Sequence, residues 1–165
     1  MYNSIKVINL VMAMELHGYN FCKDNSIKSR NLQTKAIFEK LSKIELEHYE
    51  YLKKLLKKYK DGETVSEELN LPEDKGEIFF EKRKESENLA QNFEQSMIQD
   101  MNVLRMAYLI EEDFRDYYSM SKKVEDEQLR EILSHFAGWE DNHAKIFKDE
   151  YDRLMDKYMN ISWGG

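Results

Sequence analysis

Proline occurs once among the 165 residues and glycine six times, so long stretches carry no helix breaker. That scarcity disfavours a many-turned β fold and favours helices. Cysteine is scarcer than glycine: Cys22 stands alone, which excludes a disulfide within the chain and any four-cysteine iron or zinc site. No apolar run approaches a membrane span, since the opening from Ile5 to Met14 is too short and contains Lys6 and Asn9. No charged-then-apolar leader ends in a small-residue cleavage site. The expectation is a cytoplasmic protein with no membrane partner. An excess of positive charge is missing too, and a formal charge of −7 argues against nucleic acid as a partner.

What is present fits amphipathic helices. Hydrophobic residues make up 41% and charged residues 35%, with Lys and Glu interspersed as on solvated helix faces. The length suits a single domain over residues 1–165 with a substantial core. Apolar steps of three and four predict a first helix over residues 4–24, with Ile8, Glu15, Tyr19 and Cys22 on one face. Asp24, Asn25 and Ser26 are turn residues, and Asn31 can cap a second helix over 31–59 with the seam Phe38, Leu41, Glu45, His48, Leu52 and Leu55. A third helix follows over 97–122, carrying Met97, Met101, Leu104, Glu111, Phe114 and Tyr118 on one face. Asp126 can cap the fourth, which runs to 158 with the seam Leu133, Phe136, Glu140, His143, Phe147, Tyr151 and Leu154. The tail 159–165 reads as loose.

The architecture that follows is all-α: two helical hairpins, 4–59 and 97–158, joined by a long crossover over 60–95. A charged stretch from residue 77 predicts a short extra helix within that crossover. Some 35 residues can travel the length of the second helix, so the third should run parallel to it, as in a four-helix bundle with one crossover. Asn31, Phe38, Glu45 and His48 align without a gap on Asp126, Leu133, Glu140 and His143, which points to an internal duplication.

The duplicated feature is a three-residue step, Glu45-x-x-His48 and Glu140-x-x-His143, each preceded at similar distance by another glutamate, Glu15 or Glu111. Residues three apart share a helix face, so each carboxylate and imidazole can bind one metal ion or two adjacent ones. In each hairpin the two glutamates lie about 15 residues either side of the turn, so all six side chains can converge at mid-bundle. Four carboxylates on apolar seams are costly unless neutralised, and two divalent cations balance four glutamates with neutral imidazoles. The competing reading is a plain bundle with accidental spacing. His17 and His135, which fall off their seams, show what accident looks like. A Glu on each of two helices with Glu-x-x-His on each of the other two is the ligand pattern of ferritin-like di-metal carboxylate bundles.

With Met14-Glu15-Leu16-His17-Gly18-Tyr19-Asn20-Phe21, Glu45-Leu46-Glu47-His48 and Ala107-Tyr108-Leu109-Ile110-Glu111 around these positions, the chain resembles the di-iron domain of rubrerythrin-like proteins, within the ferritin-like superfamily. The resemblance implies two iron ions, with Glu15 and Glu111 as terminal ligands, Glu45 and Glu140 as bridges, and His48 and His143 each completing one shell. Manganese or zinc suits the same donors. It also implies reduction of hydrogen peroxide or dioxygen, with electrons from a separate protein because no rubredoxin-type domain is present, and a homodimer. Phe114 stands where many members carry a further glutamate. The family pattern also places a tyrosine seven residues after each terminal glutamate; Tyr118 meets it, but the first half has Cys22. Being shorter and a weaker donor, the thiol should leave a void, a water or a less constrained carboxylate. It is either a small buried hydrophobe or close enough to the metals to be oxidised during turnover. Iron storage, hydroxylation of an organic substrate and a non-catalytic metal-binding bundle are the alternative functions.

Overall fold

The helices begin where side chains can take up the orphan amides of their first turns. Asn3 accepts from Lys6 N, Asn31 from Gln33 N and Thr34 N, and Asp126 from Leu129 N, each from an extended backbone. The computed structural model describes residues 1–63 and 93–161. Among them run four long helices: α1 (Ser4–Lys28), α2 (Leu32–Asp61), α3 (Phe93–Ser119) and α4 (Glu127–Met159). A 3₁₀ turn over Met120–Lys123 separates the last two. None of the described helices is long and apolar enough to cross a membrane.

Three boundaries differ from the sequence reading, the first being the start of α3 at Phe93, inside the stretch expected as crossover. Asp24, Asn25 and Ser26 do not form a turn, because Asn25 Nδ2 donates to Phe21 O and Ser26 Oγ to Lys23 O, so these residues bond the helix that carries them. α1 therefore continues to Lys28, and Ser29 and Arg30 make the connection. α3 ends three residues early: Lys122 and Lys123 lie in the 3₁₀ turn, not in its last α-helical turn. α2 stops at Gly62, whose φ of 67° lies in the left-handed region that glycine enters without a Cβ clash.

Residues that meet across the bundle fix the helix directions. Tyr2 pairs with Val124 at one end of α1 and α3. At the other end, the Asp100 carboxylate accepts from the backbone N–H groups of Arg30 and Asn31, so these two helices are antiparallel. Thr34 at the start of α2 meets Glu150 near the end of α4, so that pair is antiparallel as well. α2 and α3 consequently point the same way, and the end of one and the start of the other lie at opposite ends of the bundle. The extra helix expected from residue 77 falls almost wholly outside the described residues, as does residues 162–165 of the tail.

The apolar core is divided. One cluster holds Ile8, Val11, Leu52, Leu55, Phe114, Tyr118, Leu133 and Phe136. The other holds Cys22, Phe38, Leu41, Met97, Leu104, Ala107, Phe147 and Leu154. On each helix the glutamates and histidines of the repeated motif fall between these two sets, at 15, at 45 and 48, at 111, and at 140 and 143.

Candidate metal centre

Glu15, Glu45, His48, Glu140 and His143 are 0% exposed and Glu111 is 2% exposed, so all six residues singled out by spacing lie in the interior. Each helix delivers them on the stripe that its apolar residues bury, while neighbours such as Lys43, Glu47, Glu50, Lys54 and Lys57 remain exposed. His17 and His135 lie on the exposed side, apart from the site.

The six side chains form two overlapping groups. Ligand atoms of Glu15, Glu45, His48 and Glu140 lie within 4.8 Å of one another, and so do those of Glu45, Glu111, Glu140 and His143. Glu45 and Glu140 belong to both. His48 Nδ1 is 3.3 Å from Glu15 Oε2 and 3.7 Å from Glu140 Oε1. Across the site, His143 Nδ1 is 2.9 Å from Glu45 Oε1, 3.7 Å from Glu140 Oε2 and 3.9 Å from Glu111 Oε2. The two imidazoles lie nearly parallel, with ring centroids 5.8 Å apart and planes inclined by 12°.

The electrostatics are those of four carboxylates crowded together in the interior. Burial pushes Glu45 well above the ordinary carboxyl value, and repulsion from Glu15 and Glu111 adds to it. Glu111 is raised by burial and then by the Glu140 charge. Glu140 is pushed up to about 8 by burial together with Glu45 and Glu15. Only Glu15 goes the other way: burial raises it, but the charge and hydrogen bond of His48 and the hydrogen bond from Tyr118 outweigh that and leave it lowered. Glu45 Oε2, both Glu140 carboxylate oxygens, Glu111 Oε2 and His48 Nε2 are buried without hydrogen-bond partners. So many orphaned acceptors at one point are not tolerated in a plain core. They fit divalent cations, which satisfy carboxylate oxygens and cancel their repulsion together. The donors are oxygen and nitrogen, suited to iron, manganese or zinc.

The two halves are unequal. Tyr118 Oη donates across the bundle to Glu15 Oε1, orienting that carboxylate. At the equivalent place in α1 stands Cys22, 1% exposed among Phe38, Met97 and their neighbours, and Glu111 Oε2 has no hydrogen-bond partner. The Cys22 thiol is pushed well up by burial and by the Glu111 and Glu45 charges, so it stays protonated and unreactive at neutral pH.

Two residues not singled out by spacing complete the site. Gly18 is buried on α1, where an added Cβ would sit 3.0 Å from Glu45 Oε2 and 3.4 Å from the Phe114 ring. A glycine inside a helix costs about 1 kcal/mol relative to alanine, and its place three residues after Glu15 was the available signal. Trp139 stacks on His48 with centroids 4.9 Å apart and planes inclined by 21°. Its adjacency to Glu140 does not reveal that contact, because the stack crosses from α4 to α2. No family model, curated protein or solved structure matches the chain, so the site is read from its own geometry.

Proposed function

We propose that the chain is a di-iron carboxylate protein of rubrerythrin type on a ferritin-like bundle, reducing hydrogen peroxide or dioxygen with electrons from a separate protein. The observation that carries this reading is the pair of buried four-residue ligand groups that share Glu45 and Glu140. Glu45 and Glu140, common to both groups, would serve both ions, with Glu15 and His48 completing one set and Glu111 and His143 the other. An iron pair held there would supply the two electrons that reduce a small oxidant. The protein's part is to hold six ligands rigidly on four helices, to keep bulk water out with apolar clusters on both sides, and to orient Glu15 through Tyr118. The single cysteine of the sequence supports an electron donor that is a separate protein.

The test is anaerobic loading with ferrous iron, metal analysis, and stopped-flow mixing with peroxide and separately with oxygen. Two irons per chain are expected, oxidised together, with peroxide and oxygen rates that identify the preferred oxidant. Saturation at one metal per chain, or two irons that neither oxidant oxidises, would overturn the proposal.

A further inference from the structure

Gly18 and Phe114 hold matching places in the two halves, three residues after Glu15 and three after Glu111. Residues three apart share a helix face, so both positions turn towards the site. The surroundings of Gly18 agree: a Cβ there would sit 3.0 Å from Glu45 Oε2 and 3.4 Å from the Phe114 ring. One position supplies no side chain, the other supplies a ring, and the ring lies against the bare part of α1. Phe114 also meets the His17 ring edge-on, with centroids 6.5 Å apart, and His17 is exposed. Phe114 itself keeps 8% exposure. A single ring therefore links the surface to Glu45, whose Oε2 has no hydrogen-bond partner. Trp139, half-buried, also lies near the surface. It stacks flat on His48, however, so a molecule passing it meets an imidazole and not a carboxylate oxygen.

We propose that Phe114, seated opposite Gly18, is a size-selecting gate between α1 and α3 that admits hydrogen peroxide or dioxygen and turns away organic hydroperoxides. A ring with no side chain opposite needs only a small tilt to pass a molecule of two heavy atoms. A tert-butyl group needs the ring displaced, and close packing of the core resists that. The chemistry beyond the gate is the same for either hydroperoxide. The O–O bond breaks as two electrons arrive from the ferrous pair and two protons from water, leaving two waters, or one water and an alcohol.

This gate rests on the proposed activity, and cobalt(II) in place of iron separates the two. Azide should change the visible spectrum of the cobalt-loaded protein quickly, and benzoate, of equal charge but larger, only slowly. In Phe114→Ala the ratio of benzoate to azide association rates should rise at least about tenfold. Phe114→Leu should raise it less, and it decides alone if Phe114→Ala fails to fold. In the iron-loaded variants the ratio of tert-butyl hydroperoxide to hydrogen peroxide rates should rise in the same order. General loosening of the core would speed small and large molecules together and leave both ratios unchanged, which would overturn the gate. So would a wild type that takes benzoate as fast as azide, or benzoate let in by Trp139→Ala and not by Phe114→Ala. Iron that no peroxide oxidises, beside cobalt ratios that shift as expected, would sink the activity and leave the gate standing.

Discussion

Tyr118 and Cys22 occupy matching places in the two halves, and the difference between them makes Glu15 and Glu111 unequal carboxylates. The tyrosine hydroxyl reaches Glu15, whereas the thiol leaves Glu111 Oε2 without a hydrogen-bond partner. Tyr118→Phe removes a hydrogen bond to a carboxylate with little change of volume. It should cost about 1–2 kcal/mol in the metal-free protein. Metal affinity should fall about 10–100-fold in the half that contains Glu15 and His48, while the other half, which never had such a bond, is little affected. Calorimetric titration with zinc should therefore show one weakened step of two. Equal weakening of both steps would mean that Tyr118 acts on the site as a whole. Gly18 belongs to the same scale: a Cβ there would press on Glu45 Oε2 and the Phe114 ring, so a larger residue fits only if they give by a few tenths of an ångström.

Among elements, the turn between α1 and α2 is held by groups far away in sequence. Asp100 on α3 accepts from the amides of Arg30 and Asn31. Glu150 on α4 is fully buried, accepting from Thr34 Oγ1 at 2.7 Å, from Gln33 Nε2 at 3.1 Å and from Arg153 through two nitrogens. Together they fasten both hairpins at the end of the bundle where α2 and α3 begin. Glu150→Ala would leave the Thr34 hydroxyl without that acceptor in a buried position, although Arg153, one-third exposed, can still reach water. A loss of about 3 kcal/mol is expected by urea unfolding, at the low end for breaking a buried ion pair. Metal stoichiometry should be unchanged, because this network lies in a different part of the bundle from the site. Loss of metal binding in a folded Glu150→Ala protein would show instead that the two are coupled.

For the whole molecule, the buried carboxylates tie stability to pH and metal. Glu45, Glu111 and Glu140 all have raised pKa values, so the metal-free folded state holds protons that the unfolded chain releases. Their stabilisation is complete below the ordinary value of 4.5 and is lost as pH rises towards the Glu140 value of about 8. Glu15, with its lowered value, works the other way, but it is one carboxylate against three. The thermal midpoint of chelator-treated protein should fall between about pH 5 and about pH 8. With zinc bound the trend should reverse, because the ligands must be deprotonated to bind. Circular dichroism melts at both pH values, with and without metal, check the sign. A metal-free midpoint that rises with pH would show that the carboxylates do not share one buried site.

By itself the sequence determined the four helices, their buried stripes and the six residues that converge. The 3.6-residue period forces Glu45 with His48, and Glu140 with His143, onto the faces that Phe38, Leu52, Phe136 and Phe147 bury. Caps at Asn31 and Asp126 were legible because capping is local chemistry. The Asp24–Ser26 turn misled because Asn25 and Ser26 bond equally well to a helix backbone, and only the packing of α1 against α2 and α3 decides between the two. Contacts between helices left no period to read. Trp139 on His48, the room that Gly18 leaves for Glu45, and the grip of Glu150 on Thr34 each join residues dozens of positions apart, whereas the reach of Tyr118 to a site carboxylate was legible from its seven-residue step after Glu111. Such pairs depend on how far each helix is rotated and shifted against its neighbours, and close packing of the whole core sets that.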